Sequence, residues 1–155
     1  ELILAFNRFI KNNPEWKLIV VGEGPLSTFM PNNKNFKRYD FKNPEQVAKL
    51  MQESRFLVLP SHKDHWPLVV NESVLCGCGL ILSNKIGNIA EFCGRKNGII
   101  FNAKSTNSLF KALVKINSLK LSDLVIINEE SHRLGSKFNV TQWIKKYQKI
   151  INSFD

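Results

Sequence analysis

Residues Arg55–Ser83 read RFLVLPSHKDHWPLVVNESVLCGCGLILS, and this stretch decides the fold. Arg55–Leu59 and Leu80–Ser83 are short, nearly continuous apolar runs, a pattern typical of buried strands in a parallel sheet. Between them lie a polar loop and an apolar helix that starts at Pro67, a residue suited to the first helical position. A strand, a helix and a second strand in this order predict a βαβ unit with parallel strands.

The same alternation continues on both sides of this unit. Further strands are expected at Lys17–Val21, Phe36–Phe41 and Gly98–Phe101. Helices are expected at Leu2–Ile10, from Pro44 onward, and at Ser105–Ile116, Ser122–Leu134 and Thr141–Ile151. Strands that alternate with helices predict an α/β fold in which helices cover both faces of a parallel sheet.

Length and apolar content are those of one soluble globular domain. A chain of 155 residues can bury a real core but is short for two ordinary domains. No apolar run approaches the roughly 20 residues of a membrane-spanning helix, and no signal-peptide pattern opens the sequence. The first residue is Glu1, already inside an amphipathic pattern, so we expect a piece of a longer protein.

The cysteines do not form a regular framework. An odd number, Cys76, Cys78 and Cys93, argues against a disulfide-stapled secreted domain, so we expect reduced thiols and a cytoplasmic location. A zinc site that also uses His62 and His65 is disfavoured, because the cysteine spacing is not that of paired zinc ligands.

A formal net charge of +9 indicates a polyanionic partner or surface. The basic residues are scattered and no recognised nucleic-acid module accompanies them, so we expect no nucleic-acid partner. An anionic membrane surface or a phosphate-bearing ligand suits the charge better. The densest basic clusters are Lys34, Lys37, Arg38 and Lys42, and Lys145, Lys146 and Lys149.

The helix that starts at Pro67 suggests a binding site. Free N–H groups and the partial positive charge of a helix start suit phosphate, and Asp64 and Glu72 flank this one. A carboxylate accepts two hydrogen bonds, which matches vicinal sugar hydroxyls. On these residues alone, a structural interpretation fits the pattern equally well: Asp64 caps the helix and Glu72 is a solvated surface acid. Trp66 covers a ligand or caps the core, and Gly22-Glu23-Gly24 is expected to be a tight turn.

Taken together, these motifs resemble the donor-binding signature of family 4 glycosyltransferases (glycosyl transferases group 1) of the GT-B fold. The similarity covers roughly residues 1–117. The matching segments are Lys17–Pro25, Pro60–Ser61, Asp64, Trp66–Val69, Glu72, Gly87–Glu91 and Asn97–Phe101. The resemblance implies a Rossmann-like domain, the C-terminal half of a GT-B fold, over residues 1–135. It also implies that residues 136–155 form a helix that crosses to an N-terminal domain outside this chain.

The resemblance also implies roles for individual residues. Asp64 and Glu72 are the expected catalytic pair, with Glu72 on the nucleotide ribose and Asp64 on the donor sugar. The N–H groups of Leu68 and Val69 are expected to bind the diphosphate. The residues expected to bind the donor are Gly22, Gly24, Tyr39, Asp40, Phe41, Trp66, Pro67, Leu68, Val69 and Glu72.

The resemblance implies transfer of a hexose from a nucleoside diphosphate sugar to a glycan or lipid-linked acceptor, with retention of anomeric configuration. It favours a UDP-sugar as the donor. We expect no cofactor and no metal, since no two Asp residues have D-x-D spacing. We also expect a position in the cytoplasm or at the inner face of the membrane, and no turnover by this chain alone. A sugar-nucleotide epimerase and a non-enzymatic basic α/β binding module are the alternatives.

The sequence departs from the family pattern at four places. Asp64 stands where the family has Glu, Asn88 replaces the second glycine of the turn that follows the next strand, and Leu80 replaces a proline. The family's basic residues that help to hold the diphosphate would precede Glu1.

Overall fold

The computed structural model of the chain describes residues 1–25, 27–138 and 140–152. The strands are β1 Leu18–Val21, β2 Phe36–Tyr39, β3 Phe56–Leu59, β4 Gly79–Ser83 and β5 Gly98–Phe101. The helices are α1 Leu2–Ile10, α2 Pro44–Gln52, α3 Leu68–Leu75, α4 Ile89–Phe92, α5 Thr106–Asn117, α6 Leu121–Gly135 and α7 Val140–Ile151. A 3₁₀ turn, Ser27–Phe29, follows β1.

Every strand pairing is parallel, which confirms the α/β fold predicted from the sequence. The pairings form two sheets, one of β1 and β2 and one in the order β3-β4-β5. Among the described residues, no strand pairs with the other edge of β1 or of β3. The sequence predicted one continuous sheet. In the structure the two sheets are joined by side-chain packing and not by strand pairing. Leu18 and Phe36 of the smaller sheet share a core cluster with Ile81 and Phe101 of the larger one.

Helices cover both faces of the larger sheet, as expected. Along β4 the side chains alternate between two cores, as the period of a strand requires. Ile81 packs in the cluster beneath α1 and α5, whereas Leu80 and Leu82 pack in the cluster beneath α3. All five residues of β4 are buried, so this strand is the centre of the molecule.

The end of β2 and the presence of helix α4 differ from the sequence prediction. β2 ends at Tyr39 instead of reaching Phe41, whose side chain is 84% exposed. The chain turns there because Asn43 begins α2 with a reciprocal capping box to Gln46. The short helix α4 was not predicted, because four residues are too few to show a helical period.

Buried hydrogen bonds attach α6 to the amino end of β4. The Ser131 hydroxyl donates to the Cys78 carbonyl at 2.7 Å and accepts from Asn97 Nδ2 at 3.1 Å. One turn earlier, Asn128 Nδ2 donates to the Gly77 carbonyl at 3.2 Å. Gly77 has a φ of +81°, so this bend after α3 requires glycine. These contacts hold α6 against α3.

The division at residue 135 stays a prediction, although α6 ends there and α7 begins at Val140. On α7, Ile144, Tyr147 and Ile151 are each more than half exposed. The side chain of Trp143 and residues 153–155 lie outside the described part. None of the described helices combines the length and the apolar character needed to cross a bilayer.

Candidate active site

Two loops meet at the carboxyl ends of β3 and β4, the edge at which open α/β sheets bind ligands. One runs from Pro60 to Pro67 and the other from Asn84 to Asn88. The Asp64 N–H donates to the Lys85 carbonyl at 3.1 Å, and the Gly87 N–H donates to the Asp64 carbonyl at 2.8 Å. Asp64 and Ile86 therefore form an isolated parallel bridge. Both backbone polar groups of Asp64 are thus hydrogen-bonded to the second loop.

Gly87 lies where the two loops come closest. A Cβ atom at this position would overlap the backbone carbonyl oxygen of His65. Gly87 does not have a positive φ, so lack of space, and not a left-handed backbone, makes glycine necessary here. The loop from Pro60 to Pro67 thus rests directly on the backbone of the second loop.

The Asp64 side chain is half-buried at the centre of the first loop. Its Oδ1 accepts a hydrogen bond from the Trp66 N–H at 3.3 Å, a local Asx-type turn. It does not cap α3, which has no side-chain cap at all. The structural alternative considered for Asp64, a helix cap, is therefore wrong, while its predicted role toward a sugar stays a prediction.

The amino end of α3 is open. Pro67 has φ −66° and ψ 117° and is the N-cap, so the helix begins at Leu68 and not, as predicted, at the proline. The extended ψ of Pro67 explains the difference, because an N-cap residue lies outside the helical region. The Val70 N–H donates to the Pro67 carbonyl at 3.2 Å. The N–H groups of Leu68 and Val69 precede it, where helices have no internal acceptor to offer.

Glu72 is exposed on α3, one turn beyond Leu68 and on the same side of the helix. Its neighbours Val70 and Val74 are fully buried and face the sheet. The valines and the glutamate therefore lie on opposite faces of the helix. An exposed Glu72 beside the open helix start remains within reach of a ligand there.

Trp66 lies at the edge of the core, with one part packed inside and the rest exposed to solvent. The indole packs edge-on against buried Phe92, with ring centroids 6.3 Å apart, yet 49% of the residue is exposed. Both predicted roles for Trp66, cover for the core and contact with a ligand, are therefore compatible with its position.

The two loops border an open, basic depression of about 480 Å³. Asp64 contributes the one carboxylate of its lining, and Lys63 and Lys85 contribute positive charge. The full lining is His62, Lys63, Asp64, His65, Asn84, Lys85, Ile86 and Gly87. Apart from Asp64, these residues were not selected from the sequence as site residues, although the resemblance of Gly87–Glu91 to the family's turn was the signal that pointed to this loop.

The remaining candidate residues form a second group at the carboxyl ends of β1 and β2. Gly22, with a φ of +118°, donates its N–H to the Tyr39 carbonyl at 2.9 Å, so the glycine turn and Tyr39 are brought together. Gly24 donates its N–H to the Ser27 hydroxyl at 2.9 Å, and the tight turn at Gly22–Gly24 stays a prediction. Asp40 pairs with Arg38 at 3.2 Å. Within the described ranges, no hydrogen bond joins this group to the loop of Asp64.

The cysteines are free, and burial raises the pKa of both Cys78 and Cys93 to about 11. Such thiols stay protonated and unreactive at neutral pH. Across residues 1–25, 27–138 and 140–152, no group of three or more His, Cys, Asp or Glu side chains could hold a metal ion. Metal independence itself stays a prediction.

Curated relatives are bacterial enzymes much longer than this chain. The chain is 24% identical over 156 residues to an Escherichia coli UDP-Gal:alpha-D-GlcNAc-diphosphoundecaprenol alpha-1,3-galactosyltransferase, covering 94% of this chain and 40% of that protein. It is 22% identical over 110 residues to the Campylobacter jejuni N,N'-diacetylbacillosaminyl-diphospho-undecaprenol alpha-1,3-N-acetylgalactosaminyltransferase, covering 69% of this chain and 29% of that one. The chain therefore spans well under half of either relative.

The fold is also that of a solved glycosyltransferase. The structure of the pneumococcal O-GlcNAc transferase in complex with UDP and GlcNAc superposes with a TM-score of 0.81 at 14% identity, over 98% of this chain and 32% of that one. The model of the family described as glycosyl transferases group 1 matches residues 1–137. Motif order, fold and family match agree, and the chain belongs to the group 1 glycosyltransferase family.

Proposed function

We propose that this chain is the donor-binding part of a retaining hexosyltransferase that uses a uridine diphosphate sugar. The observation that carries the proposal is the open start of α3, with Asp64 before it and Glu72 one turn into it. The complex of the pneumococcal relative with UDP supports the choice of base. The reaction breaks the bond between the anomeric carbon and the diphosphate. An acceptor hydroxyl forms the new bond, and its proton balances the charge on the departing diphosphate.

In this proposal the start of α3 receives the diphosphate. The N–H groups of Leu68 and Val69 lie in the first turn, where a helix carries its partial positive charge. As the sugar leaves, negative charge accumulates on the diphosphate, and fixed N–H donors stabilise that charge without reorganising. Lys63 and Lys85 add positive charge nearby.

Asp64 and Glu72 are proposed to bind hydroxyls on either side of the diphosphate. Asp64 faces the depression between the loops, which suits the donor sugar. Glu72 shares the exposed side of α3 with Leu68, which suits the ribose next to the diphosphate. The Gly22–Gly24 turn and the segment Tyr39–Phe41 lie together at the ends of β1 and β2 and are proposed to border the base.

The acceptor is proposed to be a glycan or a lipid-linked sugar. The names of both curated relatives specify acceptors attached to diphosphoundecaprenol. A chain with a net charge of +9 is attracted to anionic membranes, so we propose that it works in the cytoplasm at the inner membrane face. We propose no metal requirement, because helix N–H groups and lysines supply the positive charge, and no transfer by this chain alone.

A thermal-shift screen tests the proposal. UDP and UDP-sugars are expected to raise the melting temperature of the chain, because a ligand that binds only the folded state stabilises it. The increase should persist in EDTA and exceed that from inorganic phosphate or ADP at equal concentration. Stabilisation by phosphate and all nucleotides alike would instead indicate a general basic binding module.

A further inference from the structure

Asn88 makes a contact that the family's pattern does not provide. The side chain is fully buried, and its Nδ2 donates to the Pro67 carbonyl at 3.1 Å. Pro67 is the N-cap of α3, and that N-cap has no side-chain hydrogen bond of its own. The contact from the neighbouring loop therefore holds the residue that immediately precedes the helix.

The oxygen of this side chain lowers the stability of the fold. Oδ1 of Asn88 is buried and has no hydrogen-bond partner among the described residues. An unpaired buried acceptor costs about 1–3 kcal/mol. The matching family turn has glycine here, which carries no such cost. Departures of this kind from good packing are typical of functional positions.

Asn88 is also the end of a continuous contact between the two loops. Ser83 donates its hydroxyl to the Ser61 carbonyl at the start of the first loop, and the Asp64–Ile86 bridge holds the middle. Asn88 then holds the end, at Pro67. Residues 83–88 thus support the first loop along its length, and Asn88 is the member that reaches the start of α3.

We propose that Asn88 is a positioning residue for the diphosphate of the donor, acting through the Pro67 carbonyl on the N–H groups of Leu68 and Val69. The proposal rests on the proposed function. Hydrogen bonds to phosphate require donor–acceptor distances near 2.7–3.2 Å. A small movement of the helix start therefore weakens the hydrogen bonds from both N–H groups to the diphosphate. The ribose and the base, bound elsewhere in the site, do not depend on this contact.

The test compares UDP with uridine, using the affinity of each for the whole chain. In Asn88→Ala the affinity for UDP should fall roughly three- to tenfold, the worth of one or two ordinary hydrogen bonds. The affinity for uridine should stay within about twofold, since uridine carries no phosphate. A purely structural role would lower both affinities together. Should Asn88→Ala fail to fold, Asn88→Gly replaces it, because glycine is the family's residue at this position.

Asn97→Ala is the matched control. Asn97 is also a fully buried asparagine, with Nδ2 bonded to the Phe92 carbonyl at 2.9 Å, but it lies before β5 and does not touch Pro67. The Asn97→Ala variant should lose stability, but the ratio of its affinities for UDP and uridine should stay the same. An unchanged UDP affinity in the Asn88 variant, or an equal fall for both ligands, overturns the inference. If the unmodified chain binds no nucleotide at all, the proposed function itself fails.

Discussion

Gly87 shows how one atom decides whether the candidate site can form. Its Cβ would overlap the His65 carbonyl, so Gly87→Ala must push apart the two loops that hold Asp64. Overpacking of this kind costs about 1–3 kcal/mol. We expect the free energy of unfolding, measured by urea denaturation, to fall by that amount.

Gly24→Ala is the control for this prediction. A Cβ at Gly24 would meet nothing within 4 Å, and this glycine has no positive φ. Its free energy of unfolding should change by less than about 0.5 kcal/mol. Equal effects of the two substitutions would show that the contact between the loops is not tight.

At the residue level, the sequence predicted which residues lie around the start of α3 better than it predicted their exposure. The spacing of Asp64, Pro67 and Glu72 was enough to predict acids around a helix start. It could not show that Glu72 is exposed, because the apolar residues of α3 itself are spread around the helix and do not mark one buried face. Nor could it show the hydrogen bond of Asn88 to Pro67, which lies 21 positions earlier in the chain.

Among the elements, α6 depends on one buried hydroxyl. Ser131 bonds both to the Cys78 carbonyl and to Asn97. Ser131→Ala would leave an acceptor and a donor buried without this partner, at a cost of about 1–3 kcal/mol. We expect that loss in thermal or urea unfolding, together with faster amide hydrogen exchange in α6.

Ser122→Ala on the same helix is the comparison. Ser122 is exposed in the first turn of α6, so its replacement should change stability by less than about 0.5 kcal/mol. If Ser131→Ala is equally harmless, packing and not the hydroxyl holds α6.

The elements themselves were largely predictable. Buried strands such as Phe56–Leu59 and Gly79–Ser83 are apolar on both faces and are bounded by loop residues, so their pattern is clear. The end of β2 was less clear, because its exposed residues continue into Asp40 and Phe41 without a break in composition. The separation into two sheets was not predictable, because which edges pair depends on tertiary packing.

At the scale of the whole molecule, the net charge and the share of each relative that this chain spans both agree with the proposed function. A net charge of +9 suits a ligand with two phosphates and an anionic membrane surface. The chain spans 40% and 29% of its curated relatives. If this chain is the donor-binding part, as proposed, it is expected to bind the nucleotide but not to transfer the sugar.

Calorimetric titration of UDP into this chain tests the central claim most directly. We predict binding to the unmodified chain and a loss of roughly tenfold or more in Glu72→Ala, since Glu72 is proposed to make charge-assisted hydrogen bonds to the ribose. Glu129→Ala, which removes an exposed acid from α6, should bind UDP as the unmodified chain does. No heat of binding with the unmodified chain, or equal affinity in Glu72→Ala, would contradict the account.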